Sequence, residues 1–334
     1  MKKDNILRFT SNNSYNFLEI LKKFSNKKIA VIGDLMLDKY VYGEVERISQ
    51  EAPIPIIRVT DEKYVPGGAA NVAANISTLG GDAFLFGIVG NDYYKDILLD
   101  KLYSLEISTD GILTNTKKNT ILKTRIIGLE QQLLRMDKEN IEYIDDQFVE
   151  NILTNLKDVD DLSAIIISDY AKGTITENLM HGVKEFSKKN NIILIIDPKP
   201  KHKSWYKDAS LITPNKAESQ QMSGIVIENE DNIKEAGKKL VGDLNSNIII
   251  TAGNEGMYVF EKGKEPVHIP TVAKEVYDVT GAGDTVVASI ALALSSEAML
   301  SNSAVIANHA AGIKVGKVGT APVYMEELLQ SFEE

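Results

Sequence analysis

Six short runs of consecutive apolar residues constrain what this chain can fold into: KIAVIG (28–33), AFLFGIVG (83–90), SAIIISD (163–169), NIILIID (191–197), ASLITP (209–214) and NIIITAG (247–253). They are apolar and β-branched on successive positions, which suits strands covered on both faces rather than strands with one wet side. Between them stand amphipathic stretches such as ITENLMHGVKEFSKK and DNIKEAGKKLVGDL. Strand and helix in alternation read as βαβ units, so the expected class is α/β around a largely parallel sheet. With 334 residues and 43% hydrophobic content, the chain can bury a large core.

Several runs end on a polar residue: Asp34, Asp169, Asp197 and Asn215. Ligands of open α/β sheets bind at the carboxyl ends of strands, so these side chains mark a candidate polar site. Each could equally cap a following helix. Two stretches break the alternation, 40–68 and 108–137. Both are β-branched, alternate in part and carry charges throughout, which predicts antiparallel strands in a small second layer, a lid over the site. Free sheet edges pair readily with a copy of themselves, so a homodimer is expected.

Composition narrows the partners. A net charge of -10 argues against nucleic acid, whose phosphates call for basic surface. No cysteine is present, which excludes disulfides and thiolate metal sites. The histidines, His181, His202, His268 and His309, do not fall at metal-ligand spacing. No apolar run reaches the length of about 18 residues that a membrane span needs. The opening MKKDNILRFTSNNSYNF has no apolar signal region, so a cytoplasmic location is expected.

Two glycine clusters carry the chemistry. In DVTGAGDT (278–285), Gly281, Ala282 and Gly283 let backbone approach a ligand closely just before the apolar run VVASIALAL. The first turn of a helix there offers unpaired N–H groups and the positive end of a dipole to an anion. Asp284 sits beside that anion site. It reads either as a helix cap or as a proton acceptor, and the residues alone leave both open. In PGGAANVAANISTLGG (66–81), Gly67 and Gly68 open a second helix that carries Asn71 and Asn75. It is either alanine-rich packing or a seat for a hydroxylated ligand. Neither cluster is a P-loop or a dinucleotide fingerprint.

In this order the two clusters resemble the two signatures of the PfkB (ribokinase-like) carbohydrate kinases: GGAANVA at 67–73 and DVTGAGDTVVASIALAL at 278–294. NKAE (215–218) and TAGNEG (251–256) resemble the family's NxxE and TxGxxG motifs. Within the family, GDLMLDKYVYGEVERISQEAPIPI, QQLLRMD, SDYAKG and GTAPV are most similar to the heptose 7-phosphate kinases of ADP-heptose synthesis. The resemblance implies a three-layer α/β/α core with a small β-sheet lid, often used for dimerisation. It implies one kinase domain over 1–334, with lid segments at about 40–65 and 108–137. The HxGH-type signature of a nucleotidyltransferase domain is absent, so kinase activity alone is expected.

The implied reaction uses ATP and Mg2+ to phosphorylate the anomeric hydroxyl of D-glycero-β-D-manno-heptose 7-phosphate. Other readings are a kinase for another sugar, such as ribose or fructose 6-phosphate, or a sugar- or nucleotide-binding protein without chemistry. By position, the resemblance makes Asp284 the base, with the N–H groups of Gly281, Ala282, Gly283 and Asp284 as an anion hole. It assigns Asp34, Asp38, Gly67, Gly68 and Asn71 to sugar hydroxyls. Asn215 and Glu218 would organise Mg2+ and phosphates, through water. Thr251, Gly253, Gly256 and Asn308 would line the nucleotide site. Asp278 and Thr280 match positions that help bind a monovalent cation, K+, in some relatives. Ala69 and Ala252 depart from the wider family, which often has longer side chains there. Candidates to hold the acceptor phosphate are Arg47, Lys123, Arg125, Arg135, Lys172 and Lys199, each of which could also be a solvated surface cation.

Overall fold

The computed structural model describes residues 7–8, 14–129, 131–273, 275–317 and 319–333. Its strands, in chain order, are β1 (Leu7–Arg8), β2 (Lys28–Gly33), β3 (Leu35–Ile48), β4 (Pro55–Gly68), β5 (Asp82–Val89), β6 (Ser108–Thr114) and β7 (Ile121–Gly128). They continue with β8 (Gln131–Lys138), β9 (Leu162–Ser168), β10 (Ile193–Asp197), β11 (Leu211–Ile212), β12 (Asn247–Thr251), β13 (Met257–Phe260) and β14 (Val267–Ile269). The helices are α1 (Ser14–Leu21), α2 (Ala69–Thr78), α3 (Tyr93–Ser104), α4 (Asp146–Lys157) and α5 (Glu177–Asn190). They are followed by α6 (Lys216–Ser223), α7 (Glu230–Leu244), α8 (Ala282–Ser295), α9 (Leu300–Val315) and α10 (Met325–Gln330).

The main sheet runs β1-β14-β13-β12-β11-β10-β9-β2-β5-β6. It is parallel except where β13 pairs with β12 and β14. Each expected apolar run supplies a strand, and successive residues divide between two cores. Ile29, Val31 and Ile166 face the layer that contains α2, α8 and α9. Ala30, Ile32 and Ile167 face the layer that contains α4, α5 and α7. That division explains why the runs are apolar without alternation. Helix α8 is buried from Asp284 to Ala293, because α2 and α9 pack against it on the inner side of one layer.

The smaller sheet has the order β4-β3-β7-β8. The expected segment 108–137 divides between the two sheets. Ser108–Thr114 pairs parallel with β5 at the edge of the main sheet, and only β7 and β8 enter the smaller one. The central pair also differs from the antiparallel expectation: β3 and β7 are parallel, with Asp38 beside Lys123 and Tyr40 beside Arg125. Both strands leave the same carboxyl edge of the main sheet, β3 directly after β2 and β7 after β6, so they must run in the same direction. Among the described residues, no helix is long and apolar enough to cross a membrane.

Candidate active site

The carboxyl ends of the main strands meet the amino end of α8. Gly281 caps that helix at φ 79, a left-handed backbone, and a Cβ on it would stand 2.8 Å from Asn71 Nδ2. A Cβ on Gly283 would meet nothing within 4 Å, so this turn faces open space. The N–H of Ala282 donates to Val279 O at 3.1 Å and closes the turn. The amides of Gly281, Gly283 and Asp284 have no acceptor among the described residues. Of the four amides expected to form an anion hole, Ala282's is therefore spent on the backbone. The other three are available to an anion, where the helix dipole favours negative charge.

Asp284 is 4% exposed. Asn71 Nδ2 donates to its Oδ2 at 2.6 Å, and the Tyr170 hydroxyl donates to its Oδ1 at 2.6 Å. Burial pushes its pKa up to about 6, against the lowering effect of these two donors. A carboxyl group with that pKa can take a proton near neutral pH. Burial, and then the Asp284 charge, raise the Tyr170 phenol well above its ordinary value and keep it a donor. Asn71 thus touches the carboxylate, where the sequence suggested a sugar hydroxyl. One helical turn further on, the Thr285 hydroxyl donates to Asn75 Oδ1 at 3.0 Å, which fastens α2 to α8 a second time.

Asp34 departs most from expectation. It is fully buried, and its carboxylate accepts from three backbone amides. Tyr170 N and Lys172 N donate to Oδ2 at 3.0 Å each, and Thr174 N donates to Oδ1 at 2.9 Å. Asp34 therefore shapes the loop after β9 that delivers Tyr170. Asp38, four residues on, pairs with Arg125 at 2.6 Å, and a Cβ on Gly67 would stand 2.7 Å from its Oδ2. Gly68 ends β4 and caps α2.

Two cavities join at the α8 turn. One, of about 150 Å³, is lined by Tyr170, Asp197, Lys199, Glu218, Gly281 and Asp284 among others. The second, of about 510 Å³, is more apolar and is lined by Gly253, Gly256, Val276, Val279, Asn308 and Val315 among others. Asn215, Thr251, Gly283 and Val286 line both. The arrangement suits a ligand with an apolar body and an anionic end that reaches Gly283. Asn215 caps α6, accepting from Glu218 N at 2.9 Å, while Glu218 Oε2 accepts from Asn215 N at 3.0 Å. Glu218 also pairs with Lys199. Asn308 donates to Pro270 O at 2.6 Å at the side of the larger cavity. Asp278 and Thr280 stand outside both cavities, in the loop that leads into α8.

Of the candidate cations, Lys123, Arg125, Arg135 and Lys172 come together on the site-facing side of the smaller sheet and the loop beside it. Lys123 and Lys199 each lie over the Tyr170 ring, at 5.8 and 5.5 Å from its centre. Arg47 is not among them; it is exposed near the far end of the β3–β4 hairpin. Sequence reasoning assigned no role to Tyr170, and it marked Asp197 only as one of four polar strand ends at a candidate site. Tyr170 follows the end of β9 and SDYAKG was visible as a motif, but the contact of its hydroxyl with Asp284 is a tertiary fact.

A model of the pfkB family carbohydrate kinases matches residues 26–327. The bifunctional protein HldE of Sulfurimonas denitrificans is 43% identical over 313 residues, which is 93% of this chain and 65% of that protein. The chain thus spans slightly less than two thirds of that relative's length. Among solved structures, Arabidopsis thaliana ribokinase complexed with ribose and ATP superposes with a TM-score of 0.73 at 19% identity, covering 93% of this chain and 99% of that one. Escherichia coli phosphofructokinase-2 in complex with potassium gives 0.76 at 17% identity, covering 92% and 98%. These likenesses establish the ribokinase-like fold. A helix amino terminus open to an anion, beside a buried carboxyl group whose pKa burial raises to about 6, suits phosphoryl transfer to a hydroxyl. The chain belongs to the pfkB family of carbohydrate kinases, phosphotransferases that act on sugar hydroxyls.

Proposed function

We propose that this kinase phosphorylates the anomeric hydroxyl of D-glycero-β-D-manno-heptose 7-phosphate, giving the 1,7-bisphosphate for ADP-heptose synthesis. The observation that carries the reading is Lys123. Its ammonium is half-buried, and burial lowers its pKa, with Lys172 and Arg135 adding repulsion. The carboxylates beside it are committed elsewhere: Asp38 to Arg125 at 2.6 Å and Asp137 to Arg135 at 3.0 Å. Lys123 has no ion-pair partner among the described residues. An unpaired, partly desolvated cation in a cluster of cations suits an acceptor that brings its own phosphate. The likeness to HldE over 93% of the chain supports the heptose subgroup.

In this reading the γ-phosphate of ATP lies at the free amides of Gly281, Gly283 and Asp284, and the nucleotide fills the larger cavity. Asp284 accepts the proton of the attacking hydroxyl. Mg2+ would be held chiefly by phosphates and water, with Asp197 lining the smaller cavity and Glu218, whose oxygens are engaged by Asn215 N and Lys199, acting through water. Bound there, the ion would offset phosphate charge. Pairing of two copies through Val59, Leu134 and Met136, which are 52%, 52% and 50% exposed on the smaller sheet, belongs to the same proposal.

The test is ADP release with a panel of acceptors. Heptose 7-phosphate should exceed unphosphorylated heptose in kcat/KM by about a hundredfold or more, the value of a charge-assisted phosphate contact. Faster turnover with fructose 6-phosphate or ribose would replace the heptose assignment with another sugar. A second expectation concerns Tyr170→Phe. It removes a donor that stabilises ionised Asp284, so the acid limb of kcat/KM should move to higher pH, by roughly one pH unit. An unmoved limb would show that the phenol does not tune the base.

A further inference from the structure

Behind the loop that leads into α8 lies a charge that the phosphotransfer machinery described above does not use. Lys314, on α9, is fully buried. Its Nζ donates to Gly319 O, and a Cβ on Gly281 would lie 3.4 Å from its Cε. The ammonium therefore stands directly behind the turn whose amides face the anion. Asp278 closes the cluster: its Oδ1 accepts from Thr280 N at 2.9 Å and its Oδ2 from Gly319 N at 2.9 Å. Burial lowers the Lys314 pKa, while the carboxylates of Asp278 and Asp284 favour its charged form. Lysine is among the residues least often buried without a paired charge, so a wholly enclosed ammonium here calls for a reason.

Asp278 and Thr280 match positions that help bind K+ in some relatives. In this chain a cation is already present beside them. Both Asp278 oxygens are already held by backbone amides, and the positive charge that would balance Asp278 comes from within the chain. We propose that the Lys314 ammonium is a built-in monovalent cation that ties the 278–281 loop to Gly319 and supports the phosphate site, so that the enzyme needs no K+. The inference rests on the reading of the α8 amino terminus as the phosphate site. It does not depend on which sugar is the acceptor.

The test measures ATP binding by calorimetry, with no sugar present, in KCl and in tetramethylammonium chloride at equal ionic strength. The wild-type protein should give the same Kd in both salts, within about twofold. Lys314→Met keeps the aliphatic stem and removes the charge; its ATP affinity in tetramethylammonium should fall by on the order of tenfold. Lys314→Ala opens room for an ion, and K+ or NH4+ should restore part of its ATP affinity. A severalfold gain in wild-type ATP affinity on adding K+ would overturn the proposal, and that arm needs no variant to fold. Unchanged affinity in a folded Lys314→Met would overturn it too. Failure of ATP to bind under every condition would instead refute the phosphate site on which the inference rests.

Discussion

Asp284→Asn should lose about a hundredfold or more in turnover, the usual contribution of a positioned base, while binding ATP nearly as tightly as the parent. The substitution preserves size and keeps an oxygen for the Tyr170 hydroxyl. Asn71 can turn its amide to present oxygen to the new amide group. What disappears is the proton acceptor. The same variant should fold more stably at pH 8. A carboxyl group whose pKa is about 6 in the folded protein binds its proton more readily there than in the unfolded chain. Its ionised form therefore costs stability above pH 6, and the cost fades as pH falls towards the ordinary value of 3.8. The shift corresponds to about 3 kcal/mol at most. Denaturant midpoints at pH 8 and pH 4 test this: the variant should lead at the first and match at the second. Near-parental turnover would remove Asp284 from the base's role, and a variant less stable at pH 8 would contradict the cost of burial.

Asp34→Asn should lower stability by about 2 kcal/mol or more, the lost amide contacts outweighing the relief of a carboxylate whose pKa burial raises. The native carboxylate accepts from three amides at 2.9 to 3.0 Å. An asparagine has one oxygen and an N–H2 group, so at least one backbone donor would face another donor with no water to relieve it. The damage should reach the active site, since two of the amides belong to Tyr170 and Lys172. Hydrogen exchange at Tyr170, Lys172 and Thr174 should speed up, and turnover should fall even in protein that remains folded. A parental unfolding midpoint with parental protection at those amides would show that the loop holds itself.

Most of the main sheet was legible because burial on both faces leaves a continuous apolar run, a pattern with few alternatives. Its edges were not. Ser108–Thr114 is partly polar, as an edge strand with one wetter side must be, and in sequence it looks the same as a strand of the smaller sheet. Near the other edge the short β13 runs against its neighbours β12 and β14, and these strands lack the strand–helix rhythm that exposed the rest. At the site, the glycine turns, Asp284 and Asn71 could be picked out because close backbone approach needs particular residues. Asp34 could be found but not interpreted, since a carboxylate that holds amides and one that holds a sugar look alike in one dimension. Lys314 gave no signal at all; it stands in a helix where a lysine usually reaches water.

The smaller sheet has no independent attachment. β3 begins one residue after β2 ends, with Asp34 as the joint, and β4 runs straight into α2 at Gly68 and Ala69. On the proposed reading, acceptor preference and reactivity are therefore inherited together. A chimera that imports another kinase's sheet would have to splice beside the residue that shapes the Tyr170 loop and within one helical turn of the residue that grips the base. Lineages of such enzymes should change substrate by altering side chains on this sheet in place, as at Lys123 and Arg135, far more readily than by exchanging it whole.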